Sequence, residues 1–273
     1  MRIALSTLIL VLIGMPATPE PSPELLGIAH VAFRVSDVSR AREFYRKLGF
    51  EQAFEFADPG KPPVSYMKIN DRQFIELYGR ADDSQPLGLM HVCYEVADIE
   101  GLVSEYSKRG LNPPPARKAR AGNLLFVIRD PEDQIIEYTQ YLPGSMHFED
   151  RGQHLGEHRI SQHMIGAGVP VRDLAAERAF YTSKLAFETA NDDRNETSLR
   201  IPGRASEEIL LERQTPTAKS EIVFGVPDLR QTSKELRARG LTVQDHKDAI
   251  TVADPDGTVL IFKAERKQAG AKP

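Results

Sequence analysis

The chain repeats itself. GIAHVAFRV at 27–35 returns as LGLMHVCYEV at 87–96, with His91 in the place of His30. Downstream of each histidine comes an apolar run holding one carboxylate, QFIELYG with Glu76 and QIIEYTQ with Glu137. The interval is 46 positions both times, from 30 to 76 and from 91 to 137. Two further copies open at MIGAGVPVRD and SEIVFGVPDL, and the last closes on ADPDGTVLIF as the second closes on RDPEDQIIEY. Such a repeat requires one supersecondary unit to be built four times. Each copy reads as a strand, an Asp-initiated helix and further strands. In the first, Asp37 or Ser39 caps a helix whose apolar face is Val38, Ala41, Phe44, Tyr45 and Leu48, and Gly49 suits the left-handed turn that ends it. Asp98 and Gly110 bracket the second helix, Asp173 opens the third and Gly240 closes the fourth. The predicted fold is α+β, with four βαβββ modules in two domains.

A length of 273 residues is enough for two separate cores. The domains are placed at 24–142 and 161–266, with a linker at 143–160 and a tail at 267–273. Residues 1–23 are set apart as a leader. Arg2, the apolar run Ile3–Met15, the small residues Ala17 and Thr18 and a Pro-rich stretch form the pattern of a secretory signal peptide cut near Ala17. The expected mature protein is secreted or periplasmic and has no membrane span; an uncleaved anchor is the alternative. Cys93 is the sole cysteine, which excludes an intramolecular disulfide. A net charge of −4 and the lack of Trp give no reason to expect a nucleic-acid partner. Between the domains lie His147, His154, His158 and His163. A solvated linker is the expected reading, and a metal pair of His154 with His158 is the lesser one.

Strand alternation supplies geometry. Ile28, His30, Ala32 and Arg34 share one face, and Ala29, Val31, Phe33 and Val35 share the other. The second, apolar set packs on the helix, so His30 projects from the concave side, as do Glu76, His91 and Glu137. A lone Glu within FIEL or IIEY is costly to bury unless it is paired or ligates a cation. Two imidazoles and two carboxylates suit one divalent transition metal: Zn, Ni, Co, Mn or Fe. The competing reading is a set of unrelated His–Glu ion pairs. Cys93 shares the phase of His91 and reads as a small buried thiol or a pocket wall.

IAHVAFRVSD, AREFYRKLGF, QFIELYG, LMHVCYEVAD and RDPEDQIIEY together resemble the vicinal oxygen chelate superfamily, which includes glyoxalase I, extradiol dioxygenases, methylmalonyl-CoA epimerase and bleomycin-resistance proteins. The resemblance implies paired modules curled into a U-shaped mixed sheet around one metal, with His30, Glu76, His91 and Glu137 as its ligands. Asp133 stands where many members carry glycine. The implied activity is glyoxalase-like lyase or isomerase chemistry on a small-molecule substrate, with Glu76 or Glu137 as the base. The alternatives are an Fe(II) ring-cleaving dioxygenase using His30, His91 and Glu137, and a non-catalytic binding protein. A monomer or a homodimer is expected. In the second half, motif alignment sets Gly166 opposite His30, Glu212 opposite Glu76, Glu221 opposite His91 and Ile261 opposite Glu137. That half therefore resembles a degenerate partner.

Overall fold

A computed structural model of the chain describes residues 23–204, 206–215 and 219–265, so the signal-peptide segment and the tail lie outside the described residues. The first module comprises β1 (Leu25–Val35), α1 (Val38–Lys47), β2 (Glu51–Phe56), β3 (Val64–Lys68) and β4 (Phe74–Gly79). The second comprises β5 (Gly88–Val96), α2 (Ile99–Lys108), β6 (Arg117–Lys118), β7 (Leu124–Arg129) and β8 (Ile135–Gln140). A short helix, α3 (Met146–Glu149), lies in the connection. The third module is β9 (His163–Val171), α4 (Leu174–Ser183), β10 (Glu188–Asp192), β11 (Glu196–Arg200) and β12 (Glu208–Arg213). The fourth is β13 (Glu221–Val226), α5 (Leu229–Ala238), β14 (Gln244–Asp245), β15 (Ile250–Ala253) and β16 (Val259–Ala264).

The modules pair within each half, giving two eight-stranded sheets ordered β2-β3-β4-β1-β5-β8-β7-β6 and β10-β11-β12-β9-β13-β16-β15-β14. At the centre of the first sheet β1 runs parallel to β4 and antiparallel to β5, which runs parallel to β8. Local chemistry sets the helices. Asp37, Asp98, Asp173 and Asp228 each accept the backbone N–H three residues on, satisfying a donor that the helix start leaves free. α1 ends with Gly49 at φ 83°, where Gly49 N–H bonds Arg46 O and Phe50 N–H bonds Tyr45 O. Asp133 adopts the left-handed φ of 69° that its counterpart Gly257 also shows, at 91°.

One apolar core runs through both domains. Phe50 stacks on Phe224 at 5.4 Å, and Tyr94 meets Phe187 edge-on at 5.5 Å. The polar ties are reciprocal. The Gln73 amide bonds both the N–H and the C=O of Met164, while Glu207 accepts from the Ile28 N–H at 2.6 Å. The start of α1 docks on the Asp-Pro turn of the other half, Ser36 N–H reaching Asp256 at 2.9 Å. The start of α4 does the converse, Asp173 N–H reaching Glu132 at 2.7 Å. The second domain thus braces the strand that carries His30.

Two expectations are corrected. The alternation predicted for β1 slips, because Ile28 faces Tyr94 and His30 faces Cys93, which leaves Ala29 as an extra residue in a β-bulge. Ile28 joins the main core, whereas Ala29 turns to the concave side with Tyr66, Phe74, Cys93 and Tyr141. His30 keeps its concave orientation, directly across from Cys93. The segment 143–160 is also a solvated linker only in part, since Ser145, His147 and Asp150 are buried. His147 is 2% exposed and lies parallel to Tyr141 at 4.5 Å, with Phe54 and Phe74 each 5.0 Å away edge-on. The cause is Lys68, wholly buried in β3, whose ammonium must be paired. Asp150 supplies the partner at 2.7 Å and draws the segment onto the sheet. His154 is committed to Asp150 at 2.5 Å rather than to a metal pair with His158.

Candidate metal centre

Each of the four central strands of the first sheet contributes one donor: His30 from β1, Glu76 from β4, His91 from β5 and Glu137 from β8. His30 Nε2 is the hub, 3.1 Å from His91 Nε2, 3.3 Å from Glu76 Oε1 and 3.5 Å from Glu137 Oε1. His91 Nε2 and Glu137 Oε2 are 4.0 Å apart. Donors about 2.1 Å from one ion sit about 3 Å apart when adjacent and about 4 Å when opposite. The separations of His30 from His91 and Glu76, and of Glu137 from the two histidines, fall in that range. Among the described residues, the metal-capable groups all contain His30: one with Glu76 and His91, the other with Cys93 and Glu137.

The electrostatics agree. Burial first, then the charge of Glu137, pushes Glu76 up to about 8, and burial pushes Glu137 up to about 7. Burial holds His91 down at about 4 and, with His91 and His147 beside it, lowers His30 well below the usual range. Such a pocket disfavours every side-chain charge until a cation compensates the carboxylates. A pH signature follows. In metal-free protein the fold holds the two carboxyl protons above the ordinary 4.5, so folded chains carry more protons than unfolded ones and stability falls as pH rises towards about 8. The histidines act oppositely, but only below their ordinary 6.5. Between pH 6.5 and about 8 the melting temperature of metal-free protein is expected to fall. Saturating manganese should shrink that decline to what Glu177 and Glu212, also raised to about 8, impose. Calorimetry across this range checks it, and a decline unchanged by metal would contradict the site.

Supporting groups surround the donors. Tyr66, opposite Glu76 in β3, and Tyr78, two residues beyond it in β4, set their hydroxyls towards the Glu76 carboxylate and partly offset the rise that burial imposes on it. Alternation starting from Glu76 marks Tyr78 as facing the same way; Tyr66 needs the strand register. The Cys93 thiol acts on Glu137 in the same sense, and the Glu137 side chain is more exposed, 13% against 5% for Glu76. Arg34 and Arg129 are occupied elsewhere, by Pro86 O and by Asp133.

The second domain keeps the scaffold and the β1 bulge, but not the donors. Its ladders place Gly166, Glu221 and Ile261 at the positions of His30, His91 and Glu137. The fourth position belongs to Leu210, which faces Gly168 as Glu76 faces Ala32; Glu212 falls opposite Tyr78. Glu212 is thus misplaced by the motif alignment. A two-residue shift leaves a side chain on the same face of a strand, so the pattern alone does not expose it. One carboxylate among Gly, Leu and Ile holds no transition metal.

The sequence profile of the Glyoxalase/Bleomycin resistance protein/Dioxygenase superfamily matches residues 27–138, opening just before His30 and closing just after Glu137. The first domain belongs to this superfamily. The second domain repeats the strand order of the first without its donors. No curated protein matches by sequence. The chain resembles the Mn(II)-bound glyoxalase from Novosphingobium aromaticivorans, at 15% identity and a TM-score of 0.70 over 89% of this chain and 83% of that one. The 2,3-dioxygenase LapB from Pseudomonas sp. KL28 is similar at 15% identity and a TM-score of 0.68, over 90% and 94%. An extradiol ring-cleaving dioxygenase from B. fuscum gives 14% and 0.68, over 92% and 75%. At these identities the likeness establishes the two-domain fold alone. No helix among the described residues is long and apolar enough to cross a membrane.

Proposed function

We propose that this superfamily member is a divalent-metal-dependent lyase or isomerase that moves a proton on a carbon next to a carbonyl of a small molecule. The fourth donor carries this reading. Glu76 Oε1 stands 3.3 Å from the hub nitrogen, inside the set, whereas an iron ring-cleaving site needs two imidazoles and one carboxylate only. A bound divalent ion would supply positive charge against the anion that forms when that carbon loses its proton. The protein does the rest. Glu76, the more deeply buried carboxylate and flanked by Tyr66 and Tyr78, stays in place as a holding group. Glu137, less restrained and raised to about 7 by burial, is poised near neutrality, where a general base works best. It takes the proton from one face of the carbon and returns it to the product.

Glu137→Gln is expected to lower kcat by about 100- to 10,000-fold while the metal stays bound. Metal analysis of purified protein comes first. Protein loaded with manganese, nickel or zinc is then incubated in deuterium oxide with hydroxy ketones and thiohemiacetals, and exchange at the neighbouring carbon is followed by NMR. Exchange that Glu137→Gln abolishes supports the proposal. Iron-dependent dioxygen uptake with catechols that survives Glu76→Gln would favour ring cleavage instead. Export belongs to the same proposal and rests on the apolar run Ile3–Met15. The intact mass of protein recovered from a periplasmic fraction should correspond to a chain starting shortly after Ala17, and an unprocessed Met1 terminus would refute it.

A further inference from the structure

We propose that Cys93 is a fifth protein donor to the metal centre, its thiolate entering the coordination shell beside Glu137. The inference rests on the reading that the centre binds a divalent ion. Cys93 faces His30 directly across the β1–β5 ladder and pairs with Glu137 across β5–β8. Its sulfur and the ligand atoms of His30 and Glu137 all lie within 4.8 Å of one another, and Cys93 is itself wholly buried. Two donors opposite one another on an ion, at about 2.3 Å for sulfur and about 2.1 Å for nitrogen or oxygen, are about 4.4 Å apart, so the spacing suits coordination. Two triads, His30–Glu76–His91 and His30–Cys93–Glu137, each able to hold a metal ion, share the His30 imidazole.

The surroundings match. The hydrogen bond from the thiol to Tyr94 O is a long one, 3.9 Å. The same ladder position in the second domain, where the donors are lost, holds Val223. Coordination breaks the S–H bond and forms a sulfur–metal bond; the proton passes to solvent and no oxidation state changes. A thiolate shifts preference towards cobalt, zinc and cadmium and away from manganese. It also keeps the shell occupied when Glu137 leaves to act as the base.

Cobalt(II) titrated into metal-free full-length protein tests this. The wild type is expected to show a near-ultraviolet sulfur-to-cobalt charge-transfer band together with visible ligand-field bands, and Cys93→Ser should lose only the former. Cadmium affinity should fall about 10- to 100-fold in Cys93→Ser, the scale on which metal-site partners act, while manganese affinity stays level. Ligand-field bands without the charge-transfer band in the wild type would overturn the role of Cys93 and leave the metal centre standing. No cobalt bands at all would overturn both. Should Cys93→Ser fail to fold, X-ray absorption on the cobalt-loaded wild type decides, because a shell lacking sulfur refutes the proposal.

Discussion

His30→Ala is expected to weaken binding of a divalent transition metal by more than about 100-fold, since losing even an outer-shell partner of a metal costs 10- to 100-fold. The three other donors all converge on His30 Nε2, within 3.1 to 3.5 Å. Removing that hub leaves Glu76 and Glu137 as two buried carboxylates with one imidazole between them, and their mutual repulsion is relieved by protonation instead of by a cation. Turnover should disappear with the metal. Glu76→Gln should weaken binding less, because His30, His91 and Glu137 remain as a triad. The order His30→Ala, Glu76→Gln, wild type in metal content per chain, measured by mass spectrometry beside circular dichroism to confirm folding, checks the geometry. Full occupancy in His30→Ala would place the metal elsewhere.

Asp150→Ala is expected to have the largest effect on stability outside the donor set. Lys68 is wholly buried, and Asp150 meets it with a carboxylate oxygen at 2.7 Å and with its own backbone carbonyl. Removing one partner of a buried pair leaves an uncompensated charge, at a cost of about 3–5 kcal/mol. The low end applies, because Asp71 still reaches the ammonium at 3.0 Å. About 3 kcal/mol corresponds to a fall of roughly 6–12 °C in melting temperature for a chain of this size. Lys68→Met removes the charge together with the need for its partner and should cost less, leaving Asp150 to His154. A double mutant that regains stability over Asp150→Ala would show that the stranded ammonium causes the loss. Equal losses in both single mutants would show instead that contact packing dominates. The pair also pins the segment that sets His147 among Phe54, Tyr66, Phe74 and Tyr141, so Asp150→Ala should loosen that end of the cleft as well.

Much of this molecule is legible in one dimension because its decisive interactions are local or periodic. The four Asp caps act over three residues, and Gly49 closes α1 through bonds spanning one turn. The four modules, the α+β class and the concave orientation of His30, Glu76, His91 and Glu137 follow from repetition and from the two-residue period of strands. The remainder depended on pairing between distant residues. The bulge at Ala29 arises from the register of β1 against β5, and the misplacement of Glu212 from the register of β12 against β9; neither changes the apolar pattern. His147 and Asp150 read as linker residues because their burial is imposed by Lys68, some 80 positions away. Tyr66 beside Glu76 and Cys93 beside Glu137 come from neighbouring strands, whose pairing only the assembled sheet sets. The sequence determined that His30, Glu76, His91 and Glu137 face the cleft; tertiary structure decided what joins and touches them there, because contact across a sheet depends on register and register is a property of the whole fold.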